Sequence, residues 1–250
     1  YAQNVIIGNP MGSFYGYRCL GVYQNVGETV ARDANGNVIY NIYKDPVVTT
    51  INGKEVRPGH ARYEDVNHDG VIDKYDMVYL GNSMPVLTGG ATLNMSYGAF
   101  KFRMSFHTRI GQSVVNKARM DSESMYNANN QSTAVLNRWR YEGDDTDIPM
   151  ALYGEAYNYL GSDRFVEKAT FVRMKDMMLS YTLPKRILQK LKLNKLSCYV
   201  TGYDLFTWSK YKGQDPEVGL GSSKGIYQLA QDKSTTPKPR RFAIGVTIDF

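Results

Sequence analysis

From Arg240 to the end of the chain, apolar and polar residues alternate. Phe242, Ile244, Val246, Ile248 and Phe250 take one side, and Arg241, Ala243, Gly245, Thr247 and Asp249 the other. Period-two alternation predicts a strand with one greasy face and one wet or small face. About eleven residues is the length a tilted strand needs to cross a bilayer; strands in soluble sandwiches typically run to about five or six. The pattern recurs from Phe100 to Ile110. Phe100, Phe102, Met104, Phe106 and Ile110 share one face, and Lys101, Arg103, Ser105, His107 and Arg109 the other. A face so rich in cations has to meet water. From Leu87 to Tyr97, Leu87, Ala91, Leu93, Met95 and Tyr97 alternate with Thr88, Thr92, Asn94 and Ser96. Only Gly98 and Ala99 separate these two runs, which predicts a tight hairpin.

Two more strands are expected, at about 164–183 and 195–207. The first slips phase between Met174 and Met177, which predicts a bulge. Pro184 to Leu193 reads as a short helix or turn. Residues 1–84 read as an irregular loop region with short β-like runs at 14–23, 38–43 and 47–51, broken by turns such as Asn35-Gly36. The polar stretch 111–163 is expected to hold short helices at 117–126 and 133–140, and 208–239 reads as a loop. The fold class is therefore all-β, with a loop region at 1–84 and about five membrane-length strands in 85–250. Barrels of the outer membrane have short periplasmic turns and long outer loops. A periplasmic C-terminus then places the turns at Gly98 and Pro184 in the periplasm. It places 111–163, 208–239 and everything before 85 outside the cell. Five strands cannot close a barrel, and open edges in lipid leave backbone groups unpaired at several kcal/mol each. More strands are expected upstream or on another chain. The start at Tyr1 rather than Met reads as a piece of a processed or longer polypeptide.

Composition narrows the function. Hydrophobic residues make up 42% and Tyr alone numbers 20, which suits β structure and interfacial aromatic girdles. No run approaches the roughly 20 apolar residues of a membrane helix. The net charge of +6 is spread out, with no basic stripe interleaved with stacking aromatics, so no nucleic-acid partner is expected. Two cysteines make neither a disulfide framework nor a Cys-rich metal site. No nucleophile elbow, triad or phosphate-cradling loop is present, and no two acids are paired for glycan cleavage. The expectation is a protein that is not an enzyme.

The sharpest local motif is Asp65-Val66-Asn67-His68-Asp69-Gly70-Val71-Ile72-Asp73-Lys74-Tyr75-Asp76. Its spacing is that of a calcium loop. Asp65, Asn67, Asp69, the Val71 carbonyl, Asp73 and Asp76 are the candidate ligands, and Gly70 stands at the sharp bend. Hard Ca²⁺ wants about six to eight oxygens, and alternate residues of a tight loop can turn theirs inward. Asp76 stands where Glu is usual, and its shorter reach leaves Mg²⁺ as a competitor. The flanks 61–63 and 77–80 read as strands, so the expected role is structural rather than a sensor switch. From the residues alone, the alternative is a soluble extracellular calcium-stabilised β-domain that binds glycans or adheres.

Several stretches resemble the C-terminal part of SusC/RagA-type TonB-dependent outer-membrane transporters of Bacteroidetes. They are Gly12-Ser13-Phe14-Tyr15-Gly16, Asp65 to Asp73, Asp163-Arg164-Phe165-Val166-Glu167 and Leu179-Ser180-Tyr181-Thr182-Leu183-Pro184. Tyr199 to Phe206, Tyr211-Lys212-Gly213-Gln214-Asp215-Pro216-Glu217 and the ending Phe242 to Phe250 complete the set. Tyr203-Asp204 departs from the Gln-Asn more usual there. The resemblance implies a 22-stranded barrel and an importer of glycans or peptides. It implies a plug that contacts the TonB complex, a SusD-like surface lipoprotein as lid, and a dimer of transporter–lipoprotein pairs. It also implies that Phe250 is the signal for insertion into the membrane.

Overall fold

The computed structural model describes residues 1–2, 8–217, 230–234 and 236–249. Phe250, and with it the expected insertion signal, lies outside the described residues. The chain forms two compact units. One comprises Pro85–Gln112, Lys168–Val218 and Thr235–Phe250; the other comprises Tyr1–Met84, Ser113–Glu167 and Gly219–Ser234.

The first unit is a five-stranded antiparallel meander of β1 (Leu87–Tyr97), β2 (Phe100–Ile110), β3 (Phe171–Thr182), β4 (Lys195–Ser209) and β5 (Arg241–Asp249), paired in chain order. These are the five expected strands. The third begins later than expected, because residues 163–165 form a 3₁₀ turn and Val166–Lys168 pairs elsewhere. Gly98, at φ +56, turns the β1–β2 hairpin. The helix Lys185–Leu191 starts at Pro184, whose missing N–H costs nothing at a helix start, and closes on Lys192 in the left-handed region. The Leu183 N–H reaches the Leu196 carbonyl, and the Asn194 N–H reaches that of Asp249. The short turns and the end of β5 therefore share one end of the sheet.

Register puts the apolar residues of all five strands in common rows. Tyr97, Phe100, Tyr181, Cys198 and Val246 form one, and Met95, Phe102, Leu179, Val200 and Ile244 the next. Leu93, Met104, Met177, Gly202 and Phe242 make up the third row, and Ala91, Phe106, Met174 and Phe206 the fourth. Most of these side chains are exposed. Aromatic residues gather at both ends of the face: Phe100 on Tyr181 with centroids 4.7 Å apart, and Phe206 stacked on Trp208 at 6.0 Å. Ten residue steps from Cys198 to Trp208 span roughly 33 Å along a strand. At a tilt of about 40° that is roughly 25 Å, the height of a barrel's apolar band.

The bulge falls where the phase slip predicts it, between Met174 and Asp176 in β3, opposite a matching irregularity in β4. Asp204 takes up the second half at φ +51, a conformation that Asp and Asn tolerate better than most residues. Leu205 then leans over Gly202, where a Cβ would lie 2.8 Å from it. Glycine is required there because β4's own bulge fills the space.

The second unit is more ordered than a loop region. Ser13–Gly16 pairs with Val78–Asn82, and Cys19–Val22 with Ala61–Tyr63. Thr50–Ile51 lies between Lys54–Glu55 and Val71–Ile72. Tyr17, Tyr23, Ile51, Val56, Ala61, Tyr63 and Ile72 form a buried core. The expected run 38–43 forms only isolated bridges, Arg32 to Val38 and Tyr40 to Pro46. Helices lie at Lys117–Glu123 and, as a 3₁₀ turn, Thr133–Asn137. Met125, Val135, Ile148, Tyr159 and Phe165 make a second core. Beside it the Glu123 carboxylate takes Arg119 at 2.7 Å and Arg164 at 3.0 Å, and Arg164 packs on the Phe165 ring.

Candidate functional site

Opposite the apolar face, each strand presents small, polar or charged residues. The rows read Ser96, Lys101, Ser180, Tyr199, Gly245; Asn94, Arg103, Met178, Thr201, Ala243; Thr92, Ser105, Asp176, Tyr203, Arg241; and Gly90, His107, Arg173, Thr207. Arg103 lies 3.6 Å from Asp176, and both are partly exposed. The hydroxyl end of the Tyr199 ring lies against Gly245, where an added Cβ would clash with it. An aromatic covering a cross-strand glycine pins register while keeping the wall thin.

At the end of this face where β4 ends, the charges concentrate. Arg173 is 3% exposed. Its guanidinium donates to Asp215 at 2.5 Å, to Glu217 at 2.7 Å and to Thr207 Oγ1 at 2.9 Å. Lys175, the bulge residue, reaches Glu217 at 3.1 Å, and Lys238 reaches it at 2.7 Å. Burial alone would raise the Glu217 pKa, but the hydrogen bonds from Lys238 and Lys175 outweigh it and hold it at about 2. A cavity of about 260 Å³ opens beside the cluster, lined in part by Asp204, Tyr211, Gln214, Lys238 and Arg240. Sequence reading missed this cluster, because its partners lie 21 to 44 positions apart. The faint signal was a pair of cations at the bulge and two acids bracketing Pro216.

In the other unit, the acidic loop is closed by its own hydrogen bonds. Asp65 accepts the N–H groups of Asp69 and Gly70, Asn67 that of Asp69, and Asp69 that of Val71. Gly70 stands at φ +81, against the Ala31 methyl. Ile72 is buried in the core, as the motif requires. Three of the six expected ligands, Asp65, Asn67 and Asp69, thus turn oxygens toward the same short run of amides. The other two side chains are committed elsewhere. Asp73 caps the 3₁₀ turn Lys74–Asp76, and Asp76, 0% exposed, takes the N–H groups of Val66 and Asp73. Among the described residues no three Asp, Glu, His or Cys side chains gather as a metal-holding group. As folded, the Asp65 and Asp69 carboxylates and the Asn67 carboxamide oxygen accept hydrogen bonds from the loop's own amides.

His60 is a titratable group of this unit that sequence reading left without a role. It is 3% exposed; its Nδ1 accepts the Arg57 N–H at 3.1 Å, and its Nε2 lies 3.3 Å from the Tyr157 hydroxyl. With Nδ1 accepting, the neutral ring carries its hydrogen on Nε2. Burial, and then the Arg57 charge, lower its pKa from 6.5 to about 4, against a smaller opposing pull from Glu155. Between those values the unfolded chain binds the extra proton, so stability rises with pH across that window. We expect stability to fall by on the order of 3 kcal/mol between pH 7 and pH 4 through this residue. A thermal melt at both pH values reads this out, and His60→Gln should flatten the difference.

No family model matches the chain. It is 27% identical over 246 residues to TonB-dependent receptor P3 of Formosa agariphila, covering 97% of this chain and 22% of that protein. It is 25% identical over 244 residues to the TonB-dependent receptor SusC of Bacteroides thetaiotaomicron, covering 91% of this chain and 22% of that protein. The chain thus spans a little over a fifth of the length of these curated relatives. Its fold superposes on a chain of the RagAB peptide importer in the closed-closed state, with a TM-score of 0.65 and 19% identity, over 100% of this chain and 25% of that one. Over nearly its whole length the chain is thus similar in sequence to part of TonB-dependent receptors, SusC among them, and similar in fold to part of a chain of the RagAB importer.

Proposed function

We propose that this chain is the C-terminal wall of an outer-membrane barrel of 22 strands that imports glycan or peptide fragments. The observation that carries this reading is the apolar face, continuous across five strands and backed by a charged one. Contiguous exposed apolar surface of that extent marks a membrane or partner contact. β1 and β5 each leave one edge unpaired among the described residues, and lipid does not tolerate open edges. The remaining strands come from the rest of a longer protein. The charged face then lines the lumen, and the long connections lie outside the cell with the C-terminus in the periplasm. A SusD-like lipoprotein covers the mouth, the TonB complex supplies energy through a plug, and two such pairs associate. The chain's part is to bind and position cargo rather than to make or break bonds. Deleting the full-length gene should abolish TonB-dependent growth on one class of oligosaccharide or peptide in a nutrient panel. Unchanged growth on every member of the panel contradicts the reading.

The acidic loop is proposed to take Ca²⁺ or Mg²⁺ weakly, in a structural role. The support is its donor order and the inward turn of Asp65, Asn67 and Asp69. Ligand binding to the folded state adds about 2.7 kcal/mol at a hundred times the dissociation constant. Millimolar calcium should therefore raise the melting temperature of the purified protein, and Asp69→Ala should remove the rise. An unchanged melt with either cation leaves a self-closed turn.

A further inference from the structure

We propose that residues 210–217 form an ion-paired strap, folded back over the charged face of the sheet and held there by Arg173, Lys175 and Lys238. The proposal rests on the barrel reading, in which that face is the lumen wall, and it assigns to the strap a constriction at the outer mouth. Arg173 belongs to the same row as His107 and Thr207, so its side chain leaves the sheet on the charged side. A chain leaving β4 freely would run away from the sheet; this one returns. Tyr211 and Pro216 are buried, and the Pro216 carbonyl accepts from the buried Gln112 side chain at 3.5 Å. Asp215 accepts the Glu217 N–H at 2.8 Å, which turns both carboxylates toward Arg173. From the lead-in to β5, the Lys238 N–H reaches Asp215 at 3.4 Å and its ammonium reaches Glu217. Asp215 and Glu217 thus meet three cations from two places in the chain, Arg173 and Lys175 of β3 and Lys238 before β5. Asp204 Oδ1, beneath them, is buried without a hydrogen bond, 3.9 Å from Lys175.

This arrangement suits a reversible closure. Charge pairs hold by geometry and lose their grip when one partner is neutralised, whereas a strap packed on apolar residues would not. Residues Asp215-Pro216-Glu217 are the fastening point, and Lys238 is the partner that can leave most readily because it is half exposed.

Trypsin cleavage after Lys212, identified by fragment mass, reads the strap directly. The digest is run on the full-length protein both in outer membranes and purified in detergent. Wild type should resist, while Glu217→Gln and Lys238→Met should be cut at least tenfold faster. Lys238→Met leaves every sheet residue in place and so controls for misassembly. Equal cleavage of wild type and both variants overturns the strap. A full-length protein absent from outer membranes overturns the importer reading instead, and the detergent digest still decides the strap.

Discussion

Met104→Arg is expected to deplete the full-length protein from outer membranes, while Arg103→Ser beside it leaves the amount unchanged. Met104 sits in the third of the four rows of the apolar face, between Leu93 and Met177. In the barrel reading this is the lipid midplane, where a cation costs about 2–4 kcal/mol. That cost falls on assembly, because the unassembled strand keeps its charge in water. Arg103 is one residue away and points to the opposite face, where its pair with Asp176 is 3.6 Å long and partly exposed. Such pairs contribute about 0–1 kcal/mol. Quantitative blotting of fractionated membranes compares the two variants. Equal loss in both would show that the faces have been assigned wrongly.

The second large effect is expected at Arg173. Replacing it with Met leaves Asp215 without its strongest partner in a largely buried site, and removing one partner of such a pair typically costs about 3–5 kcal/mol. Lys175 and Lys238 still hold Glu217, so the lower part of that range is expected. The purified protein should lose its folded, fast-migrating gel form several degrees earlier on heating. Adding D215N and E217Q to R173M should recover part of the loss, since no charge is then stranded. A triple variant no better than R173M alone would assign the loss to packing. The acid side of the same cluster has a defined window. Glu217 titrates at about 2 when folded and at 4.5 in its ordinary state. Its stabilisation is therefore complete above pH 4.5 and lost as pH falls toward 2.

The five long strands were legible because a strand with two different faces must alternate, and eleven residues of alternation leave few other readings. The bulge was legible for the same reason: a phase slip at Met174 to Met177 has no cheaper explanation. The start of β3 was not, because Val166–Lys168 is itself extended, and only its pairing with a distant short strand separates it from β3. Residues 1–84 looked irregular because their strands are two to five residues long, too short to show a period. Their core of Tyr17, Tyr23, Tyr63 and Ile72 is assembled by contacts far apart in the chain. The acidic loop was legible as a turn, down to Gly70 and the buried Ile72. The division of its acids was not, since Asp73 and Asp76 serve a 3₁₀ turn that the calcium pattern does not contain. Asp204 occupies a left-handed position, φ +51, which Asp and Asn accept more readily than most residues.

Everything proposed for the barrel depends on which face of the sheet meets lipid. Single cysteines placed at each residue from Phe100 to Thr108 of the full-length protein, in a Cys19→Ser, Cys198→Ser background, can carry a fluorophore quenched only from within the bilayer. Quenching is expected at 100, 102, 104 and 106 and none at 101, 103, 105 and 107. Quenching with the opposite phase, or at no position, would contradict a lipid-facing apolar wall.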